Sequence, residues 1–201
     1  MPGRLFLTQT QRLKDLFGAS VPEVAPRQNI APGQDLLVWD GNVLAPMRWG
    51  IIPVGRVNAR GRPVMETIIN ARSETVFDKS AFEGVRRAVI PVNGWYEWTG
   101  EKRRKTAWAI QPNDGGLLYF AAITDIWNAP GGFQVPQVAA VTCSPNKDVE
   151  PIHHRMGVLL APADFDAWLG DDIAAAQALM RPWPEGKLDI SKAKDVDWDA
   201  P

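Results

Sequence analysis

The chain has 201 residues, of which 45% are apolar and 22% are charged, and its formal net charge is -1. This length favours one domain, residues 1–201, with a core large enough to need no metal or disulfide staples. A single cysteine excludes an intramolecular disulfide framework, two adjacent histidines argue against a histidine-built metal site, and no apolar run reaches the length of a transmembrane helix.

The predicted elements begin with a helix over residues 9–17, which has Thr8 as its N-cap. The next predicted element is a β-hairpin in which the strands DLLVWD and VLAPMRW are joined by GN, with the turn at Asp40 and Gly41. Further strands are expected at 87–91, 95–99, 106–111, 117–124 and 137–143, and short helices at 80–84, 162–169 and 171–180. Residues from about 182 to 201 are polar and predict an irregular C-terminal arm.

The strands outnumber the helices, and most of them neighbour one another along the chain. This arrangement predicts an α+β fold with a mostly antiparallel β core, barrel-like, and peripheral helices.

Charged residues are divided unevenly along the chain. Residues 1–110 hold 16 basic and 10 acidic side chains (+6), and residues 111–201 hold 6 and 13 (-7). Such a division fits a basic face that binds an anion, or halves of the sequence that do not map onto faces of the molecule.

Two stretches in the first half of the chain carry candidate reactive groups. Removal of Met1 before the small residue Pro2 would expose a secondary amine, which can attack an aldehyde; an ordinary frayed terminus is the alternative. In Ile68–Glu74 an amide, Asn70, and a guanidinium, Arg72, share one face of an extended segment and could bind an anion. The alternative there is a strand end with an ion pair between Arg72 and Glu74.

Two further stretches place ionisable groups in apolar surroundings. Glu97 lies between aromatic residues in NGWYEW, and burial would raise its pKa and suit it to proton transfer, unless it faces outward from an amphipathic strand. His153 and His154 are the only candidate imidazole proton shuttles, and either could be structural. Cys143 ends an apolar strand, so a buried inert thiol is favoured over a Cys143/His153 dyad.

Basic side chains alternate with tryptophans through the first half of the chain, a combination typical of proteins that bind single-stranded nucleic acid. The alternative is that the tryptophans form the core and KRRK is a solvated hairpin tip. The basic residues are Arg48, Arg56, Arg60, Arg62, Arg86, Arg87 and the run from 102 to 105, and the tryptophans are Trp39, Trp49, Trp95, Trp98 and Trp108.

A series of stretches, taken in order, resembles the SOS-response-associated peptidase (SRAP) family of abasic-site-processing proteins. The stretches are GR near the N-terminus, RQNIAPG, MRWGIIP, INARSET, RRAVIPVNGWYEW, LLYFAAITDIW and TCSPN…PIHHRM. The resemblance covers nearly the whole chain. It implies a compact, mostly β, barrel-like domain that binds single-stranded DNA and abasic-site DNA in a basic cleft, in the DNA damage response. It also implies a monomer that is cytoplasmic, nucleoid-associated when bound to DNA, with no cofactor, metal or membrane partner.

Residue roles follow from the resemblance, position by position. Asn70 would hold the abasic sugar and the N-terminus, Glu97 would position the terminal amine and assist proton transfer, and His153 would be the general acid/base. The DNA contacts implied are those of Arg4, Trp49, Arg72 and Arg155. His154 falls at a variable position of the motif and receives no role.

The sequence departs from the family at position 2, where Pro2 stands in place of the nucleophilic cysteine. Closure of a stable thiazolidine needs an amine and a thiol on one residue, so Cys143 cannot replace it. Three outcomes remain open. Pro2 could form a transient iminium that leads to β-elimination, the protein could bind DNA without covalent chemistry, or it could be a structural or regulatory relative with a decayed site. The resemblance also implies peptidase activity as self-removal of Met1, without which the first outcome fails, and lyase activity as β-elimination at abasic sites.

Overall fold

The computed structural model describes residues 2–18, 21–53, 60, 67–78, 82–101 and 104–199. In these ranges the chain forms twelve strands and three short α-helices. The strands are β1 (Arg4–Leu7), β2 (Arg27–Ile30), β3 (Asp35–Trp39), β4 (Leu44–Trp49), β5 (Asn70–Arg72), β6 (Arg86–Val92), β7 (Gly94–Thr99), β8 (Thr106–Pro112), β9 (Leu118–Asn128), β10 (Gln134–Cys143), β11 (Met156–Gly157) and β12 (Leu188–Lys192). The helices are α1 (Leu13–Phe17), α2 (Phe165–Leu169) and α3 (Ile173–Leu179).

A closed five-stranded barrel lies at the centre of the fold. Strands β10, β4, β3, β6 and β9 pair in turn, and β9 pairs back with β10. Within the barrel only β10 and β4 run parallel. The expected α+β fold with a mostly antiparallel, barrel-like core is therefore confirmed.

A second, five-stranded sheet has the strand order β12-β8-β7-β1-β2, and every pairing in it is antiparallel. Its inner face packs on the barrel, where the ring of Trp95 meets that of Phe120 edge-on at 5.6 Å between centroids. Both rings are fully buried. Such aromatic contacts contribute both buried area and a preferred geometry, so they fix how the sheet lies on the barrel.

Two short strands extend the barrel at the end of β10. β5 pairs in parallel with β10 through Ala140↔Asn70 and Thr142↔Arg72, and β11 pairs antiparallel through Cys143↔Met156. The loop between β10 and β11 carries both histidines. As a result the segments that hold Asn70 and His153 both lie at one end of β10.

The predicted β3–β4 hairpin is confirmed, with a turn built by Asp40. Its Oδ1 accepts hydrogen bonds from the backbone N–H groups of Asn42 and Val43, both at 2.9 Å, and Gly41 takes a positive φ of 102°. This is the local turn chemistry that makes Asp and Gly good hairpin residues. The strands expected at 87–91, 95–99, 106–111, 117–124 and 137–143 are also present, with shifted ends.

The first predicted helix is shorter than expected, and Thr8 does not cap it. The chain makes a 3-10 turn at Thr10–Arg12 before α1, and neither segment has a side-chain cap. The backbone N–H groups of Thr8 and Gln9 donate to Oδ1 of Asn93 at 2.8 and 2.9 Å. The hydroxyl group of Thr8, which a cap would use, lies 3.4 Å from the same oxygen and donates to it.

The C-terminal arm is more regular than predicted, because Leu188–Lys192 forms an edge strand on β8. The helices at 162–169 and 171–180 are confirmed as a 3-10 turn followed by α2, and as α3 with Asp172 as its N-cap. The helix expected at 80–84 lies partly outside the described residues. No described helix has the length and apolar character needed to cross a membrane.

Candidate active site

The N-terminal residues lie where the second sheet meets the barrel. β1 pairs with β7 in the register Arg4↔Tyr96 and Leu5↔Trp95, so the chain before Arg4 continues alongside Glu97. Pro2 is buried, and its carbonyl oxygen accepts a hydrogen bond of 2.9 Å from Nδ2 of Asn70. Asn70 starts β5, which belongs to the barrel sheet. One side-chain hydrogen bond thus fixes the N-terminus across the junction.

Glu97 is buried in the middle of β7, with only 3% of its surface exposed. This excludes the outward-facing alternative. Burial raises the pKa of its carboxyl group, while the positive charge of the amino terminus and a contact with Trp95 act in the opposite direction. A buried carboxyl group with a raised pKa is suited to proton transfer.

His153 sits in the β10–β11 loop with its ring turned onto its own backbone. The backbone N–H of His153 donates to the carbonyl oxygen of Val149 at 2.9 Å. The backbone N–H of Val149 in turn donates to Oδ1 of Asn146 at 3.0 Å. Nδ1 of His153 accepts from the backbone N–H of Arg155 at 3.0 Å. Nδ1 also lies 3.2 Å from the carbonyl oxygen of Arg155, so it can accept from the N–H or, when it carries a proton, donate to the carbonyl oxygen.

The pKa of His153 is lowered, first by burial and then by the charges of the amino terminus and His154, against an opposing hydrogen bond to the Arg155 backbone. His154 is exposed and stacks on His153 with ring centroids 4.3 Å apart. The same terminal charge therefore acts on both His153 and Glu97. The predicted catalytic residues Asn70, Glu97 and His153 are thus each linked to the N-terminus, by a hydrogen bond or by charge.

Arg155 does not present an unoccupied guanidinium. Its Nη1 and Nη2 bind the two carboxylate oxygens of Glu74, the second at 2.9 Å, and Nη2 also donates to the carbonyl oxygen of Thr142 at 2.5 Å. These bonds lower the pKa of Glu74 to about 2. The ion pair considered between Arg72 and Glu74 is replaced by this pair, which joins residues 81 positions apart in sequence.

The other predicted DNA contacts differ in their exposure. Arg72 is exposed at the end of β5, and Arg4 is partly buried, with Nη1 donating to the carbonyl oxygen of Gly3 at 3.1 Å. Trp49 is fully buried, and its Nε1 donates to the carbonyl oxygen of Ile69 at 2.9 Å. A buried indole offers no face to a base, so Trp49 instead supports the residue before Asn70.

Other predicted positions are buried in the core or lie outside the described residues. Trp95 is fully buried, as Trp49 is, and its contact with Glu97 is the one already described. Burial raises the pKa of the Cys143 thiol to about 11, which keeps it protonated and unreactive at neutral pH. The predicted positions outside the described residues are Met1, Arg56, Arg62, Lys102 and Arg103.

The resemblance implied that Asn70 holds the N-terminus, and the atom it contacts is the Pro2 carbonyl oxygen; the pair between Arg155 and Glu74 was not predicted. Both depend on strand pairings that bring distant segments together. The sequence did indicate that Glu74 and Arg155 lie close to the site, since each is two to four residues from a predicted site residue. It did not indicate that they pair with each other, because they are far apart in sequence.

Comparison with known proteins supplies the context for this geometry. The family model described as SOS response associated peptidase (SRAP) matches residues 1–196. "Abasic site processing protein YoqW" of Bacillus subtilis is 33% identical over 185 residues, covering 87% of this chain and 81% of that protein. "Abasic site processing protein YedK" of Escherichia coli is 29% identical over 164 residues, covering 78% and 70%. A crystal structure from Bordetella bronchiseptica has the same fold, with a TM-score of 0.80 at 20% identity, covering 96% of this chain and 100% of that one.

Proposed function

The chain belongs to the SOS response associated peptidase (SRAP) family, and from this premise we propose that it processes abasic sites in single-stranded DNA through a transient iminium on Pro2. The observation that carries the proposal is the 2.9 Å bond from Asn70 to the Pro2 carbonyl oxygen, beside the buried Glu97. Relatives of this chain are named abasic site processing proteins. Single-stranded DNA as partner, a monomeric state and a cytoplasmic, nucleoid-associated location belong to the same proposal.

The first step requires removal of Met1, which leaves Pro2 as the N-terminal residue with a secondary amine. At neutral pH that amine is protonated, and the buried carboxyl group of Glu97, alongside the chain before Arg4, is the proposed acceptor of its proton. The amine then adds to C1′ of the open-chain sugar, and the carbinolamine loses its hydroxyl group as water. Asn70 holds the Pro2 carbonyl during this step, so the amine keeps one orientation.

The second step follows from the chemistry of a secondary amine. The iminium nitrogen of proline has no proton to lose, so the cation cannot relax to a neutral imine. Its charge acidifies C2′, a base removes that proton, and the electrons expel the 3′ phosphate by β-elimination. Hydrolysis of the resulting iminium returns the Pro2 amine and leaves a cleaved strand.

Glu97 and His153 have different proton-transfer roles in this proposal. Glu97 returns the proton taken from the amine to the hydroxyl group that leaves the carbinolamine, and as a carboxylate again it then takes the C2′ proton. His153, as a neutral ring, takes the C1′ hydroxyl proton when the sugar ring opens and, once protonated, delivers a proton to O4′. In this proposal Arg72, exposed two residues after Asn70, and Arg4, two residues after Pro2, contact phosphates on either side of the sugar.

The test is incubation with single-stranded DNA carrying one abasic site, with and without borohydride. We expect an adduct only with borohydride, and strand cleavage without it. Intact mass must show that Met1 is removed, since a retained Met1 leaves Pro2 without an amine. Salt-dependent binding with no adduct and no cleavage would replace the proposal with non-covalent DNA binding. Absence of binding would indicate a structural or regulatory relative with a decayed site.

A further inference from the structure

We infer that Trp49 is a positioning residue: its buried indole N–H fixes the peptide group that precedes Asn70 and so aims the Asn70 amide at the Pro2 carbonyl oxygen. Trp49 then has a task in the reaction that it performs through Asn70. The effect on the reaction rests on the proposed function, whereas the arrangement of Trp49, Ile69 and Asn70 does not.

The basis of this role is the place where β4 ends and β5 begins. Both strands run parallel to β10 along the same edge of it. The last pairing of β4 is Trp49↔Val138, and the first pairing of β5 is Asn70↔Ala140. Trp49 therefore ends one strand two positions of β10 before Asn70 begins the other, and its side chain can span the gap.

The carbonyl oxygen of Ile69 receives two donors at this point. The backbone N–H of Ala140 donates to it at 3.1 Å, and Nε1 of Trp49 donates to it at 2.9 Å. A carbonyl oxygen has two lone pairs, so both are used. Rotation of the peptide group between Ile69 and Asn70 would break one bond or the other. The plane of that group sets the direction in which the Asn70 side chain leaves the backbone.

Asn70 depends on its backbone for this direction. Its Nδ2 donates to the Pro2 carbonyl oxygen at 2.9 Å, while its buried Oδ1 has no hydrogen-bond partner within the described part of the chain. One contact does not by itself fix a side chain that rotates about two bonds. β5 has only three residues, Asn70–Arg72, so its pairing with β10 is short. The indole of Trp49 supplies an additional anchor at the end of β5 where Asn70 lies.

Trp168 provides the matched control for Trp49. Both indoles are fully buried, and Nε1 of Trp168 donates to the carbonyl oxygen of Ala88 at 2.8 Å. Ala88 lies in β6, which β9 and β10 separate from β5. Replacing either tryptophan by Phe removes one indole N–H and keeps an aromatic ring, so urea denaturation should show losses of stability of similar size. Only Trp49→Phe should affect Asn70.

The structural part is tested on the full chain without DNA, by the ¹H–¹⁵N signals of the Asn70 side-chain amide, which Asn70→Ala assigns. We expect Trp49→Phe to shift these signals and to speed the exchange of their protons with solvent. Trp168→Phe should leave them as in the parent protein. Unchanged signals in Trp49→Phe, or equal changes in both variants, overturn the inference.

The parent protein decides the matter if Trp49→Phe does not fold. The indole N–H of Trp49 and the backbone N–H of Ala140 bind the same carbonyl oxygen, so both should exchange with solvent at similarly slow rates. Exchange of the Trp49 indole N–H at the rate of a solvent-exposed indole overturns the inference.

The functional part is tested as a double-mutant cycle with Asn70. Trp49→Phe should slow borohydride-trapped adduct formation about three- to tenfold and change the dissociation constant for single-stranded DNA less than about twofold. In an Asn70→Ala background the same substitution should slow it no further, because Trp49 acts through Asn70. An unchanged rate in Trp49→Phe, a further loss in the Asn70→Ala background or an equal loss in Trp168→Phe overturns the inference. An altered Asn70 amide in Trp49→Phe, when the parent protein forms no adduct, supports the positioning role and refutes the proposed function instead.

Discussion

The side-chain amide of Asn70 donates to the carbonyl oxygen of Pro2 at 2.9 Å, which links a strand of one sheet to the chain that leads into the other. Asn70 lies on the strand added to the barrel, and Pro2 lies two residues before β1, which pairs with β7, the strand that carries Glu97. The bond therefore fixes the N-terminus relative to the buried carboxyl group. Placement of an amine and its base by a fixed framework is a large part of what a catalytic site contributes.

Replacement of Asn70 by Ala should leave the fold intact but release the N-terminus. We expect a loss of about 1 kcal/mol in the free energy of unfolding, the usual size of one hydrogen bond, and a larger effect on adduct formation, about tenfold or more. Urea denaturation and borohydride trapping measure the two quantities. Asn113→Ala is the control, because it removes a similar amide bond to the Gly186 carbonyl away from the site. Equal effects of the two variants on adduct formation would contradict a role for Asn70.

Replacement of Glu97 by Gln should stabilise the protein increasingly as the pH rises. The folded-state pKa of Glu97 lies above its ordinary value of 4.5, so the folded chain holds an extra proton and its stability falls as the pH rises from 4.5 through the raised pKa. The neutral amide removes this penalty. Denaturation of both proteins between pH 4 and pH 8 measures the difference, and adduct formation should be lost.

The exposed Glu101 provides the comparison for Glu97. Glu101→Gln should follow the parent protein at every pH and retain adduct formation. A stability difference between Glu97→Gln and the parent that shrinks as the pH rises would mean that the folded protein favours the charged carboxylate.

The pair between Glu74 and Arg155 predicts the opposite pH dependence. The folded-state pKa of Glu74 is about 2 against an ordinary value of 4.5, so its stabilising effect is complete above 4.5 and is lost as the pH falls towards 2. The parent protein should therefore lose its stability advantage over Glu74→Gln across that interval. Because the Glu74 side chain is 52% exposed, added salt should reduce the advantage at neutral pH. A difference independent of pH would exclude the ion pair as its cause.

Trp49 is expected to affect folding and not DNA binding. Trp49→Leu leaves a cavity beside Ile69 and should reduce the free energy of unfolding by on the order of 3 kcal/mol. Loss of a base-stacking residue typically costs about 1–3 kcal/mol of binding, so a stacking role would weaken binding at least about fivefold. Titration of the folded variant with single-stranded DNA should show an affinity within about twofold of the parent.

The sequence predicted those parts of the fold that depend on local patterns. The β3–β4 hairpin follows from alternating apolar residues around an Asp40–Gly41 turn, and β6 to β10 follow from long apolar runs. β1, β2, β5, β11 and β12 were not predicted, since each has five residues or fewer and is defined by a partner far away in sequence. Thr8 failed as a cap for the same reason, because Asn93 is 85 positions away.

The sequence pointed to those site residues that are polar and have apolar neighbours along the chain. The aromatic context of Glu97 left open a buried side chain or an outward-facing one; the structure buries it, and burial raises the pKa of its carboxyl group. The partner of Glu74 was not predictable, because the nearest cation in sequence is Arg72 and the actual partner, Arg155, arrives through the parallel pairing of β5 with β10. The resemblance implied that Trp49 contacts DNA, whereas composition alone left a core indole and an exposed one both open.

The central claim is that Pro2 replaces a stable crosslink with a transient iminium. The most direct measurement compares the parent protein with Pro2→Cys on single-stranded DNA carrying one abasic site, after intact mass shows that Met1 is removed from both. We predict that the parent forms an adduct only with borohydride and otherwise cleaves the strand, whereas Pro2→Cys forms a heat-stable adduct without reductant. A heat-stable adduct of the parent protein without borohydride would contradict the claim.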